Sequence, residues 1–215
     1  MVMKNRKKIL IISLTLLASF TCAAETVTKG MKKVIDDALD FSVKQSMSMF
    51  YEMKDQKGIL PRTAENGKMI TCESAWWTSG FYPGTLWYCY EYSNDPQIRA
   101  AAEEMTSRVE KQKYTTSNHD VGFIINCSFG NGYRLTHNET YRKVIETAAK
   151  SLSTRFHPVT GCTRSWNSKK WQFSVIIDNM MNLELLNVAS SLTGDNTYYN
   201  MAKSHADRTM INHFR

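Results

Sequence analysis

The feature that most limits what this chain can fold into is a repeated helix start. Asp95, Asn138 and Asp195 each carry a short side-chain acceptor just ahead of a helical pattern, where it can take up an orphan N–H of the first turn. Ile98, Tyr141 and Tyr198 follow three residues later, and Ala102, Ile145 and Ala202 seven residues later. Those offsets place a cap and two apolar residues on successive turns of one helix face. The repeats start 43 and then 57 residues apart, because a stretch around 157–171 is inserted.

Helical patterns cover 29–53, 78–92, 96–112, 121–135, 139–153, 179–191 and 196–214, with no convincing alternating strand between them; only 172–177 is ambiguous. The helices starting at Pro96, Glu139 and Asn196 are charged and amphipathic, as outer helices should be. Those starting at Thr78, Val121 and Asn179 carry glycine, aromatics and amides, and almost no lysine. Pairs that alternate in this way predict an all-α chain of stacked hairpins, either an open solenoid or a closed toroid.

The first 24 residues read differently. Lys4, Arg6, Lys7 and Lys8 precede an apolar run from Ile9 to Leu17, and Cys22-Ala23-Ala24 supplies small residues for cleavage. That is an export signal, too short to serve as a membrane anchor. The domain proper is then 25–215, and the destination is the periplasm or the extracellular space. Cys22 offers a second reading, as the lipidated first residue of a lipoprotein, but Phe20-Thr21 make a poor lipobox. Without the four leader charges the formal balance falls from +7 to 23 basic against 20 acidic residues, a net of +3. Neither that balance nor any basic run marks a nucleic-acid protein. Cys72, Cys89, Cys127 and Cys162 lack zinc-ligand spacing, and Cys89 and Cys127 sit in apolar helical patterns. No metal, no cofactor and no essential disulfide are expected.

Three segments concentrate chemistry-bearing side chains. Trp76 and Trp77 lead into Gly80 and Gly84; His119-Asp120 opens an uncharged helix; Trp166 and Trp171 lie before Asp178-Asn179 at the start of another. Asp120 and Asp178 occupy equivalent helix starts. Both could be simple caps. Asp178, however, follows Val175-Ile176-Ile177 and precedes two methionines, so partial burial should raise its pKa while helix N–H groups lower it. Two carboxyls in unlike environments can divide into proton donor and polar partner. The tryptophans could be core, or could wall a cleft for a sugar ring. His119 could donate to a ligand or be a satisfied polar neighbour. His137, His157, His205 and His213 read as surface residues, and no Ser-His-Asp set or phosphate loop is present.

The same segments resemble glycoside hydrolase family 88, the unsaturated glucuronyl hydrolases. The matching runs are Trp77-Thr78-Ser79-Gly80-Phe81-Tyr82-Pro83-Gly84, His119-Asp120-Val121-Gly122-Phe123, Arg164-Ser165-Trp166 and Ile177-Asp178-Asn179-Met180-Met181-Asn182-Leu183-Glu184. The resemblance implies an (α/α)6 toroid. It also implies removal of a 4,5-unsaturated uronic acid from the non-reducing end of lyase-generated oligosaccharides of glycosaminoglycan type. On that basis Asp178 is the general acid/base and Asp120 its partner carboxylate. His119, Trp166, Asn179 and one or other of Trp76 and Trp77 contact the substrate. A rhamnogalacturonan-directed relative (family 105) shares the toroid and the chemistry, but its motifs fit these segments less well. A helical glycan-binding protein without catalysis, or an inactive fragment, is the remaining alternative. Family members run to about twice this length, so only about half of the toroid is expected here. The 215-residue chain alone is expected to be inactive or unstable; turnover of an unsaturated disaccharide by the purified chain would overturn that.

Overall fold

The computed structural model describes residues 28–214. The expected signal peptide at 1–24, with Cys22, lies outside the described residues. The chain divides into two compact units, Met1–Ala38 and Leu39–Arg215. The described part of the first belongs to helix α1 (Lys29–Met53) and carries the exposed i,i+4 pairs Lys32–Asp36 and Lys33–Asp37.

In the second unit the chain runs from the end of α1 through strands β1 (Ile59–Glu65) and β2 (Lys68–Glu73), then helices α2 (Phe81–Ser93) and α3 (Pro96–Ser107). Next come α4 (Val121–Ile125), a π turn at Asn126–Gly130, α5 (Asn131–Thr136) and α6 (Glu139–Ser153). Short strands β3 (Phe156–His157) and β4 (Cys162–Thr163) follow, then α7 (Asn179–Asn182), α8 (Glu184–Thr193) and α9 (Asn196–His213). Among the described residues no helix is long and apolar enough to cross a membrane.

The predicted caps form. Asp95, Asn138 and Asp195 accept from the backbone N–H of Gln97, Thr140 and Thr197 at 2.7, 2.8 and 2.8 Å. The faces they start are buried at Ile98, Ala102, Ile145, Tyr198 and Ala202, with Tyr141 packed at the edge of the core. Outer α3, α6 and α9 pack on inner α2, α4 and α8, so the unit is a row of three helical hairpins. Fully buried Trp87 joins the first hairpin internally by donating to Thr106 Oγ1 at 2.9 Å.

The inner helices meet through glycines. A Cβ built on Gly80 would lie 2.3 Å from the carbonyl oxygen of Ile124, and one on Gly84 would lie 2.7 Å from that of Cys127. At Gly122 it would lie 2.4 Å from the carbonyl oxygen of Asn182 and 2.7 Å from its Cα. Glycine in these helices is what lets α2, α4 and α7 touch backbone to backbone.

Several expectations are corrected. Strands β1 and β2 pair antiparallel around Asn66-Gly67, both at positive φ, the conformation that a tight hairpin turn needs. Pro61, which has no N–H to give a ladder, sits at a shift of register, and that broken alternation hid the strand. A second small hairpin pairs Phe156 with Thr163 and His157 with Cys162. The segment 172–177 is loop. The helix expected over 121–135 is interrupted by the π turn, where Ser128 Oγ and Asn131 Nδ2 bond the carbonyls of Ile124 and Cys127. The helix expected over 179–191 breaks at Leu183, and the one over 96–112 ends at Ser107. There Arg108 turns away to donate to the carbonyls of Lys54, Gln56 and Ile59. His205 is not a surface residue: it is fully buried, with Nδ1 accepting from the Thr163 N–H at 2.8 Å. Cys72, Cys89, Cys127 and Cys162 are free thiols.

Gly122→Ala should therefore cost about 1–3 kcal/mol through overpacking, because the obstacle is backbone and cannot rotate away. The change should lower Tm by roughly 2–4 °C per kcal/mol. Gly30→Ala, with nothing within 4 Å of the added Cβ, is the control and should leave Tm unchanged or slightly raised.

Candidate active site

Asp120 and Asp178 stand at the first turns of α4 and α7, yet neither side chain caps its helix. Both backbones are already helical there (φ/ψ −64/−12° and −67/−13°), which aims the carboxylates away from the N–H groups that a cap would bond. The three outer-helix starts, with extended backbone, do cap. The cap reading thus fails for these two aspartates alone, and their carboxylates are left for another purpose.

Between them lies His119. Its Nε2 is 3.5 Å from Asp120 Oδ1 and 3.9 Å from Asp178 Oδ2. Side-chain exposure is graded across the trio: 2 % for His119, 21 % for Asp120 and 36 % for Asp178. Asp178 is the most open of the three, and Asp120 is partly exposed. Ligand atoms of the three lie within 4.8 Å of one another, the one grouping among the described residues that could share a cation.

Burial dominates the electrostatics. Asp120 is raised to about 6, first by desolvation and then by the nearby Asp178 charge, with Arg155 pulling the other way. Asp178 is also raised by desolvation, and the N–H groups of Asp178 and Asn179 draw it partly back. Asp178 also borders an open apolar groove of about 980 Å³ lined by Ile177, Met180, Met181, Met210 and Phe214. His119 is lowered to about 4 by burial, then by Arg155 and His205, so the ring is neutral at neutral pH.

The loop carrying Trp166 is tied to this centre by its backbone. The His119 N–H donates to the Ser165 carbonyl at 2.8 Å, Asn118 bridges to Trp166, and the Trp166 ring lies 6.2 Å from the His119 ring. Trp77 packs edge-on against Phe81 at 5.7 Å and tilts against Phe123 at 6.2 Å, one turn along α4 from Asp120. Both tryptophans remain 40–45 % exposed and so are free to meet a ligand. Trp76 turns elsewhere, its ring under the Arg62 guanidinium of β1 at 4.1 Å. Asn179 does not face the cleft. It is fully buried, with Oδ1 accepting from Ser165 Oγ and the Ile176 N–H and Nδ2 donating to the Thr163 carbonyl, and so pins the inserted loop to α7. Trp171 lies beside Lys170 at the exposed end of that loop.

Two residues matter that sequence reasoning passed over. Asn182 is fully buried one turn after Asp178, and an amide inside an apolar helix was the available signal. Arg155 is 7 % exposed, donating to the carbonyls of Thr116 and Arg164. It lies just past a charged outer helix, where nothing in the local pattern marks an arginine as buried.

No protein-family profile matches the chain. An unsaturated glucuronyl hydrolase of Formosa agariphila is 46 % identical over 142 residues, 65 % of this chain and 36 % of that protein. A crystal structure of an unsaturated glucuronyl hydrolase described as specific for heparin superposes with a TM-score of 0.77 at 40 % identity, covering 84 % of this chain and 49 % of the other. Over most of its length the chain is similar to the unsaturated glucuronyl hydrolases, the enzymes of glycoside hydrolase family 88. An unsaturated chondroitin disaccharide hydrolase of Streptococcus pyogenes is 34 % identical over 178 residues, 80 % of this chain and 44 % of the relative. The chain thus spans less than half the length of the curated relatives it matches. The row of three hairpins is the corresponding part of the family-88 α/α toroid.

The raised Asp120 value has a consequence for stability. A carboxyl whose folded pKa exceeds its unfolded value of about 3.9 favours the fold while protonated and loses that contribution as pH rises through about 6. Asp120→Asn removes the ionisation. The substitution should leave Tm near the parent's at pH 4 and exceed it by a few degrees at pH 7.5, reflecting about 2 kcal/mol; a pH series of thermal melts measures the gap.

Proposed function

We propose that this site removes a 4,5-unsaturated glucuronic acid from the non-reducing end of a glycosaminoglycan-type oligosaccharide by hydrating the C4=C5 double bond. The observation that carries the reading is the uncapped, desolvated pair Asp120 and Asp178, held on either side of a neutral His119 with the Trp166 ring alongside.

The substrate's ring is an enol ether, so its nucleophilic carbon is C4. Asp178, the more exposed carboxyl, delivers its proton there and leaves positive charge on C5, shared by the ring oxygen. A water molecule adds at C5 and returns a proton to the carboxylate pair, so Asp178 regains its acid form. The product is a hemiketal at C5. The hemiketal opens without further help and the glycosidic bond at C1 is lost with it, so the carboxylate-separation rule for direct attack at C1 does not apply. Asp120, raised to about 6, shares the proton and orients the water. Acid–base catalysis supplies about 10²–10⁴-fold, and the rest must come from positioning. The exposed faces of Trp77 and Trp166 suit a flat, half-planar sugar ring.

The substrate class draws on the relatives, one described as specific for heparin and another named for chondroitin disaccharide. We also propose export to the periplasm or beyond, on the leader pattern of residues 1–24.

Asp178→Asn should cut turnover of an unsaturated glucuronyl disaccharide by about 10²–10⁴-fold while leaving binding intact. The loss of double-bond ultraviolet absorbance gives the rate. The measurement applies to this chain or to a chimera completed with a relative's remaining helices. Full turnover with Asn at 178 would sink the mechanism.

A further inference from the structure

We infer that Asn182 fixes the tautomer of His119, so that His119 presents an N–H, not a lone pair, to the carboxylates of Asp120 and Asp178. The significance of that N–H rests on reading the pair as an acid–base site; the orientation itself does not.

The two ends of the Asn182 amide have partners of opposite kind. Oδ1 lies 2.8 Å from the backbone nitrogen of Phe123, which can only donate. Nδ2 lies 3.4 Å from the backbone carbonyl of Asp178, which can only accept. Both demand the same orientation, and the amide cannot flip without losing both in a site with no exposure to solvent. Nδ2 then also faces His119 Nδ1 at 3.5 Å. An NH₂ group there requires Nδ1 to be the acceptor. A neutral imidazole has one N–H, so it sits on Nε2, the atom between the two carboxylates. The groups acting on this ring are Asp120, Asp178, Arg155, His205 and the Trp166 ring.

This arrangement makes Asn182 a positioning residue. An N–H between two carboxyls donates to whichever is ionised, so it stabilises the charged member of the pair while repulsion keeps the proton on the other. The same proton keeps His119 from acting as a base and from offering Nε2 to a metal. Asn182 follows Asp178 by one turn, so the acid and the group that orients its neighbour move on one rigid element.

Long-range ¹H–¹⁵N correlation of histidine-labelled full chain tests this, with the His119 signals assigned by their loss in His119→Gln. The parent should show the Nε2–H tautomer of a neutral ring down to about pH 5. Asn182→Asp keeps an acceptor for Phe123 but puts a second acceptor against Nδ1. It should move the proton to Nδ1 or leave the ring doubly protonated at pH 7. An Nδ1–H tautomer in the parent overturns the inference, whether or not the variant folds. So do unchanged His119 signals in a folded Asn182→Asp. Undiminished turnover by Asp178→Asn, with the parent signals as expected, would instead remove the hydration mechanism and leave the Asn182 assignment standing.

Discussion

The site depends on one close approach, the contact of α4 with α7 at Gly122 and Asn182. No side chain fits there, since a Cβ on residue 122 would fall inside the backbone of residue 182. Asp120 lies two residues before this contact and Asp178 one turn before its other half, so bringing the helices together brings the carboxyls together. The same contact closes the hydrogen bond from Phe123 N–H to Asn182 Oδ1. Backbone contact of this kind is rigid, because neither partner has a rotamer to change. Gly80 and Gly84 extend the arrangement to α2, which carries Phe81 and through it the edge-on contact with Trp77.

Beneath the carboxyls lies a layer of buried polar groups that holds the inserted loop in place. Ser165, Asn179, Asn182, Thr163 and His205 are all essentially without exposure, and their hydrogen bonds run between α4, α7, α9 and the Trp166 loop. Such groups stabilise little in net terms when bonded, but each costs about 1–3 kcal/mol if left unpaired, so they select one geometry over its near neighbours. Arg155 belongs to the same layer. Its charge is met by carbonyl oxygens of Thr116 and Arg164 and felt at longer range by Asp120. A cation placed there tempers Asp120 without forming an ion pair that would hold it permanently ionised.

How legible this was in the sequence varied with the physics involved. The outer helices were readable because capping and an amphipathic face are local, and Asp95, Asn138 and Asp195 behave as their neighbours dictate. The inner helices were readable as a class from their glycines and missing lysines, but not in detail. The π turn at 126–130 depends on side chains of Ser128 and Asn131 feeding carbonyls, which periodicity does not register. The β1–β2 hairpin carried a readable Asn66-Gly67 signal, obscured by Pro61 and the bulge beside it. At the site, the aspartate pair stood out because two like positions began two uncharged helices. Sequence could not say that Trp76 turns to Arg62 while Trp77 turns to Phe123, because that choice is made by a hairpin whose strands the residue pattern did not reveal. His205 and Asn182 were missed for one reason: a polar residue is judged buried only when its partner is known, and both partners, Thr163 and Phe123, lie far off in sequence.

The charge at the site bears on how an acidic sugar would be handled. Two ionised carboxylates this close repel each other, His119 is neutral and Arg155 is the nearby cation. A bound uronic acid would bring a further negative charge beside the exposed apolar side chains of Ile177, Met181 and Met210. Added negative charge and further desolvation both raise the pKa of Asp178. On the proposed function, the sugar would therefore draw a proton onto the carboxyl proposed to deliver one, and its departure would relax that demand. Under that proposal, an acid tuned only part of the way by the protein, and completed by an anionic sugar, would avoid the stability cost of holding a fully protonated carboxyl in the free protein. The graded exposure of the trio fits that proposal: His119 is shielded by the protein, Asp120 largely so, and Asp178 is the most open.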